Sequence, residues 1–469
     1  MILQPAIFRE YDIRGVVGKD FDAKFAHALG VVFARQVLQS PYAKNTAEPQ
    51  TVAVGWDCRL SGPELSSALI AGLRAGGVNV LSCGMGPTPQ LYYATFSKNL
   101  GGGIQVTGSH NPGDQNGFKM MIGTHTLSGA EIQSLKTLIA NADHEQIASA
   151  AGILTEWNAR EAYIDELVKR STTHINQAKK LKIVVDGGNG VGGLVGPEVL
   201  RRLGCEVIEL YTEPDGRFPN HHPDPTVPEN IVDLRKAVAQ HRADAGIAWD
   251  GDADRIGVVS DKGEIIWGDM LLILFGKELQ KEIPNPIVIG DVKCSELLFS
   301  ELEKVGARPI MWKTGHSLIK AKLKETGAHL AGEMSGHIFF AHRYYGFDDA
   351  LHSSARLVEL LSHAAQPLSA MLAELPKMVS TPEIRVDCPE KIKFKVAERA
   401  KDLFPEYKTN TIDGVRVSFP DGWGLVRASN TQPVLVMRFE AGSESELNQY
   451  QSLFQGRVQK LVQELASAN

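Results

Sequence analysis

Apolar residues recur at helical spacing between about Asp22 and Gln39, at Phe25, Leu29, Val32, Phe33 and Val37, which predicts the first clear helix. Thr51 to Gly55 then reads as a buried strand, and Pro63 suits the first position of the next helix. A second strand follows at Val78 to Ser82, and a helix begins near Thr88. A glycine-rich approach, Gly101 to Gly103, leads into a third strand, Ile104-Gln105-Val106. Strand and helix alternate, so the pattern predicts a mainly parallel sheet with helices on both faces.

The same pattern returns twice. Val54-Gly55-Trp56-Asp57 is echoed by Val184-Val185-Asp186-Gly187 and by Val288-Ile289-Gly290-Asp291, each an apolar strand ending at an aspartate before a helix. Each of those helices ends at a glycine before another apolar strand, at Gly76-Gly77, Gly204 and Gly306. The copies lie about 105 to 130 residues apart, too far for a solenoid, and read as three homologous α/β domains. Polar, Ala-rich sequence from Asn141 to Glu156, the turn Asp261-Lys262-Gly263 and Leu375-Pro376 mark the boundaries. They divide the chain into 1–155, 156–262, 263–375 and 376–469. The last segment differs. It holds strands at Glu383 to Asp387, Gly414 to Phe419, Gly424 to Arg427 and Val434 to Glu440, with helices from about Pro389 and Ser443, the pattern of an α+β module with an antiparallel sheet.

Composition narrows the functional class. A length of 469 residues with 43% hydrophobic and 22% charged positions is that of a soluble globular chain of three or four domains. A net charge of −6 gives no general attraction to nucleic acid or anionic membrane, so phosphorylated ligands would need local clusters of Arg, Lys and His. Five cysteines, an odd number without CxxC spacing, fit a reducing cytoplasm rather than a disulfide framework or zinc site. No secretory leader and no 18-residue apolar span is evident, and the expected location is cytoplasmic.

Candidate chemistry sits at strand-to-loop junctions. Thr107-Gly108-Ser109-His110-Asn111-Pro112 presents Ser109 on a loop, with Gly108 for a tight turn and His110 and Lys119 as nearby proton-carrying or cationic groups. A serine hydroxyl needs a base or metal for activation, and a phosphoserine needs a cation. Asp250-Gly251-Asp252-Ala253-Asp254-Arg255 can supply one. Three alternate carboxylates converge on a hard divalent ion if the backbone curls, which Gly251 makes easy. An EF-hand would need Gly where Arg255 stands. Lys293 lies just past a strand end, and Thr314-Gly315-His316-Ser317 opens a helix suited to sugar hydroxyls or phosphate. In Gly332-Glu333-Met334-Ser335-Gly336-His337, the alternate spacing of extended chain lets Glu333 and Ser335 face one side, where a carboxylate can read two sugar hydroxyls. Arg427-Ala428-Ser429-Asn430-Thr431 offers a guanidinium and small donors for a phosphate. No Walker A sequence is present.

Together, Thr107–Pro112, Asp250–Arg255, Gly332–His337 and Arg427–Thr431 resemble, in order, the four motifs of the α-D-phosphohexomutase family. Phe8–Gly15, the run Phe218–Pro225 and Met334 resemble its bacterial phosphomannomutase/phosphoglucomutase type. Phosphoglucosamine mutases usually carry Gln at the Met334 position. The resemblance implies four domains around a central cleft and a phosphate moved between the 1- and 6-positions of a hexose, through a phosphoserine and a hexose 1,6-bisphosphate that also serves as activator. It implies phosphorylation at Ser109, with Mg²⁺ held by that phosphate, Asp250, Asp252 and Asp254. Glu333 and Ser335 would read the 3- and 4-hydroxyls, and Arg427, Ser429, Asn430 and Thr431 the phosphate not being transferred. Tyr11, Arg14, Lys119, Lys293, Thr314, Gly315, His316 and His337 would line the cleft, with Arg255 offsetting charge on the transferring group. Lys119, His110 and His337 are all candidates for the proton transfers. The expected partner is a small phosphosugar, with no nucleic acid, membrane or obligate protein partner. An aspartyl-phosphate phosphatase using Asp250 and a non-catalytic phosphosugar sensor are the alternatives, the first leaving the serine loop unexplained.

Overall fold

The first helix, Ala23–Gln39, starts where Asp22 accepts the Phe25 N–H through its side chain, a good N-cap. Its apolar face lies against the helix Gly62–Ala75 across Gly30 and Gly72, where any β-carbon would strike the neighbouring backbone. The computed structural model describes residues 1–141, 143–145, 147–429 and 433–467.

Four sheets are present among these residues. In the first, the strand Glu48–Trp56 is flanked in parallel by Asn79–Met85 and Leu100–Val106, and the latter turns back as the antiparallel strand Gln115–Ile122. The second sheet repeats this plan. Lys182–Asp186 lies between its parallel neighbours Glu206–Leu210 and Ala245–Trp249, and Ile256–Ser260 returns antiparallel. The third repeats it again, with Ile287–Asp291 between Arg308–Trp312 and Leu330–Gly332, then Ile338–Phe340 antiparallel. Three α/β units with mixed, mainly parallel sheets are thus one topology used three times.

The fourth sheet is antiparallel, with Lys408–Asn410, Val415–Phe419, Gly422–Ala428 and Val434–Ala441 in sequence order, and its outer helix is Glu444–Ser467. Gly101 to Gly103, expected as a glycine-rich approach to the strand, belong to the strand itself. A β-carbon on Gly101 or Gly102 would meet the Pro49 or Met121 carbonyl, so their glycines answer to packing between strands. No helix among the described residues is long and apolar enough to cross a membrane.

Candidate active site

The repeated topology gives each α/β unit one loop between its third strand and the antiparallel fourth. In the first unit this loop carries Ser109, a buried residue at φ +50°. That is the left-handed region, which a non-glycine residue occupies only when its surroundings enforce it. The Ser109 N–H donates to Thr107 Oγ1 at 2.8 Å, and its hydroxyl donates to Asp250 Oδ2 at 2.7 Å. His110 Nδ1 stands 3.2 Å from the same hydroxyl. Burial, then the charges of Arg255, Arg14 and Lys119, pull His110 well below the ordinary histidine range, so its ring is neutral. Arg14, paired with Asp12 at 2.6 Å, donates to Asn111 Oδ1 at 3.1 Å and so touches this loop directly.

The corresponding loop of the second unit holds Asp250, Asp252 and Asp254, all fully buried, with carboxylate oxygens within 4.8 Å of one another. The left-handed residue of this curl is Ala253, at φ +57°, and not Gly251. Gly251 is needed for another reason, because a β-carbon there would stand 2.3 Å from the Ser109 carbonyl oxygen. Lys119 Nζ donates to Asp252 Oδ2 at 2.8 Å and also to Asp254 Oδ2. Burial works against the Lys119 ammonium, but Asp252 and Asp254 outweigh it and raise it above the ordinary lysine range. Asp252 Oδ2 accepts the Thr88 hydroxyl as well, at 2.5 Å. Burial and the neighbouring Asp252 and Asp254 push Asp250 well above the usual carboxylate range. The Oδ1 atoms of Asp252 and Asp254 are buried without hydrogen-bond partners among the described residues. An all-oxygen set with orphaned buried carboxylate oxygens fits a hard divalent cation such as Mg²⁺.

The third unit's loop packs against this one. Ile256 N–H donates to the Gly336 carbonyl, and Arg255 Nε donates to His337 Nε2 at 2.9 Å. With Nε2 accepting, the His337 proton is assigned to Nδ1, which lies 3.1 Å from Asp348 Oδ2 and 3.6 Å from Asp254 Oδ1. Lys320 closes the far side of Asp348 at 3.0 Å.

Glu333 and Ser335 meet on a turn and not on extended chain. The Gly336 N–H donates to the Glu333 carbonyl, and Gly336 takes φ +93°. The two side chains nevertheless share a hydrogen bond of 3.1 Å, and Glu333 Oε1 accepts the Gly315 N–H at 2.7 Å. Thr314 links three units. Its carbonyl accepts the Tyr11 hydroxyl at 2.8 Å, its hydroxyl donates to Asp291 at 2.8 Å, and its N–H donates to Asp413 at 3.1 Å. Gly315, at φ +131°, leaves room for the Tyr11 ring. His316, between the rings of Tyr11 and His337, is buried and lowered well below the histidine range by burial first and Lys320 next. Lys293 is buried 3.4 Å from Glu383. Arg427 Nε donates to the same Asp413 at 2.9 Å, with Ser429 buried beside it in sequence. Asn430 and Thr431 lie outside the described residues.

Known proteins share both sequence and architecture. The profiles for α/β/α domains I, II and III of phosphoglucomutase/phosphomannomutase match residues 5–146, 161–263 and 267–379, and the C-terminal domain profile matches 383–455. The chain belongs to the phosphoglucomutase/phosphomannomutase family. A phosphomannomutase/phosphoglucomutase of Pseudomonas putida is 47% identical over 466 residues, 99% of this chain and 97% of that one. Its namesake from Pseudomonas aeruginosa is 47% identical over 458 residues, 97% and 96% of the two chains. A crystal structure of a family protein from Burkholderia thailandensis superposes with a TM-score of 0.89 at 43% identity, covering 98% of each chain.

In this chain, Arg59, Thr88, Asp348 and Asp413 join the site without having been read from the sequence as site residues. Asp57 was visible only as a strand-end echo. Its neighbour Arg59 had a usable signal, since a charged residue three positions past a strand that is buried toward its end must find partners nearby. Asp348 and Asp413 had none, because no local pattern links Asp348 to His337 and Lys320 or Asp413 to Arg427 and Thr314.

Proposed function

We propose that this chain moves phosphate between the 1- and 6-positions of glucose and mannose phosphates, through phospho-Ser109 and a hexose 1,6-bisphosphate. The single observation that carries the reading is the Ser109 hydroxyl set 2.7 Å from Asp250 in the three-aspartate cluster that Lys119 closes. In the forward half-reaction a sugar hydroxyl oxygen bonds to phosphorus as the bond from phosphorus to Ser109 Oγ breaks. The hydroxyl proton passes to an imidazole, His110 or, once Arg255 has turned from its Nε2 toward the phosphoryl group, His337, and a proton is returned from the imidazole to the departing Ser109 Oγ, which ends as a hydroxyl. The bisphosphosugar then turns over and returns its other phosphate to Ser109.

Lys119 is held as an ammonium by two carboxylates, so in this state it offsets charge. Arg255 adds a second cation facing the same group, as phosphoryl transfer requires. A divalent ion at Asp250, Asp252 and Asp254 would supply further positive charge to the transferring oxygens. Glu333 and Ser335 read the sugar's 3- and 4-hydroxyls. Tyr11, Arg14, Lys293, Thr314, Gly315 and His316 complete the wall, and Arg427 with the Ser429–Thr431 segment takes the distal phosphate. Because glucose and mannose differ only at C2, a grip on C3 and C4 admits both.

The test is a coupled mutase assay on glucose 1-phosphate and mannose 1-phosphate, with mass mapping of the phosphorylated residue. Turnover of both sugars with phosphate on Ser109 supports the reading. Phosphate on Asp250, or hydrolysis without isomerisation, overturns it.

A further inference from the structure

We infer that the buried pair Asp57 and Arg59 is the positioning brace of the phosphoryl-carrying serine, with the Ser109 loop wound around the Arg59 guanidinium. The inference rests on the phosphoserine reading above. Arg59 is 1% exposed, and all five of its guanidinium N–H donors are used. Nε donates to Asp57 Oδ2 at 3.1 Å. The two terminal nitrogens donate to four backbone carbonyls of one loop: Ser109 at 2.7 Å, Asn111 at 2.6 Å, Gln115 at 2.8 Å, and Pro112. A fork with its donors fixed in one plane can hold four carbonyls in a set relation, whereas a lysine has three donors on a single centre.

Asp57 holds the other end of the same residue. Its Oδ2 accepts the Thr107 hydroxyl at 2.7 Å and the Gly108 N–H at 3.2 Å, and Thr107 Oγ1 in turn accepts the Ser109 N–H. The nucleophile's amide is thus tied through Thr107 to Asp57, and its carbonyl is tied to Arg59. Both ties grip backbone, and neither touches Oγ. The brace therefore need not release when the hydroxyl gains or loses a phosphoryl group, and it can serve both halves of the reaction. It also supplies the enforcement that the left-handed conformation of Ser109 demands.

Glycines mark how closely the parts fit. A β-carbon on Gly108 would stand 2.5 Å from the guanidinium carbon, and one on Gly216 would stand 2.6 Å from Arg59 Cα. The Phe218 ring covers the guanidinium at 5.2 Å, so the unit that carries the three aspartates closes over the brace. Arg59 touches none of the reacting atoms, and its effect falls on the placement of Ser109 against Asp250.

The experiment compares wild type, Arg59→Lys, Arg59→Ala and Thr107→Val. Wild-type enzyme is first exposed to glucose 1,6-bisphosphate and its phosphate located by peptide mass mapping. Phosphate absent from Ser109 defeats the mutase reading itself and is seen before any variant is compared. With the wild type loaded, Arg59→Lys is expected to lose about 100-fold in kcat while KM for glucose 1-phosphate stays within about threefold. Arg59→Ala loses more, and millimolar guanidinium restores part of its kcat without changing its melting temperature, an effect that a purely structural role would not produce. Thr107→Val removes the hydroxyl that ties the Ser109 amide to Asp57 and is expected to lose about tenfold in kcat at unchanged KM. If Arg59→Ala fails to fold, Arg59→Lys and Thr107→Val decide the matter. Folded Arg59→Lys or Thr107→Val with kcat within about threefold of wild type, or a folded Arg59→Ala that guanidinium leaves unrescued, overturns the brace.

Discussion

The loops carrying Ser109, the three aspartates and Glu333 each bridge a third parallel strand and the antiparallel strand after it, whereas Arg427 and Ser429 end one arm of an antiparallel hairpin. The first three loops interlock. Ser109 bonds Asp250, the Ser109 carbonyl packs on Gly251, and Arg255 bonds His337. Arg427 is joined to the rest through Asp413, itself a residue of the fourth unit that also accepts the Thr314 N–H. The cores follow the same division. Second and third units share one apolar cluster with part of the first, while the fourth keeps a cluster of its own from Cys388 to Leu465. Its junction with the third unit is a small apolar cluster of Val292, Trp423 and Leu425 beside polar contacts, in which Arg416 donates to the Val292 and Cys294 carbonyls at 2.7 Å and Glu440 accepts from Ser295 at 2.9 Å. A small, partly polar inter-domain junction of this kind permits relative motion. The lesson is a structural division between three fused loops and a separable fourth, and the proposed function assigns the chemistry to the former and the distal phosphate to the latter.

If that division is real, damage to the fused units should appear in kcat and damage to the fourth in KM. Ser109→Ala is the largest expected effect, a loss of at least about 10³-fold in kcat with phosphosugar binding retained. A variant that keeps more than a few per cent of turnover would remove the serine from the chemistry. Next comes the metal. Excess chelator, or Asp252→Asn, should cost about 10²- to 10³-fold in kcat, several kcal/mol at 1.36 kcal/mol per decade. Undiminished activity in chelator breaks the assignment.

The metal prediction also carries a pH dependence. Asp250 is raised above its ordinary value, so the stability it gives the ion-free protein is full at low pH and is lost as pH rises through its folded value. Mg²⁺ binds the ionised carboxylates, so its stabilisation must grow over that same rise. At a hundredfold excess over Kd the gain is about 2.7 kcal/mol, read as a Mg²⁺-induced rise in melting temperature that is larger near neutral pH than in mild acid. A rise that is constant with pH contradicts the cluster as the binding site.

Much of the fold was legible because the strand–helix alternation of three units is written in local periodicity, and so were the loops at the ends of their third strands. The repeated strand-end aspartates turned out to brace loops. Asp57 holds Thr107 and Gly108, Asp186 holds the Gly188 N–H, and Asp291 holds Thr314. Less legible was anything set by contacts across units. Gly108 and Gly251 read as turn glycines, yet they are small because Arg59 and the Ser109 carbonyl lie against them, and the left-handed residues are Ser109 and Ala253. Nothing local in the sequence says which backbone will approach from another unit. For the same reason the Asp413 bridge between Thr314 and Arg427 was invisible, whereas the Asp348 partner of His337 lies in the same unit and escaped because no local pattern pairs the two.

The third prediction sits on the other side of the division. A phosphate presents much the same face whichever sugar carbon carries it, so one site can hold the distal group of either substrate orientation. Arg427→Ala should therefore raise KM for the 1-phosphate and the 6-phosphate by similar factors. A lost hydrogen bond to a charged group costs about 1.5–3 kcal/mol, or roughly 10- to 150-fold. Bisphosphosugar should also escape into solution more often, detectable by mass spectrometry of the reaction mixture. Steady-state kinetics in both directions decides it. If only one regioisomer suffers, Arg427 reads a fixed sugar orientation and the fourth unit is more than a phosphate clamp.

The smallest expected effect tests whether the third unit belongs with the chemistry or with recognition. Glu333 uses one oxygen for the Gly315 N–H at 2.7 Å and the other for the Ser335 hydroxyl at 3.1 Å, so the turn that carries it is partly held by its own carboxylate. Glu333→Gln keeps the side-chain length and one acceptor oxygen, which can still take the Gly315 N–H. What it loses is the charge behind any hydrogen bond to a sugar hydroxyl. The difference between a charged and a neutral acceptor is roughly 1 kcal/mol, so KM should rise about fivefold. Because the grip falls on C3 and C4, glucose 1-phosphate and mannose 1-phosphate should suffer equally, and kcat should change little. A defect confined to one of the two sugars would move the contact to C2. A defect in kcat instead of KM would mean that the turn beside His337 is positioned by Glu333, and the third unit would then join the first two on the side of the chemistry.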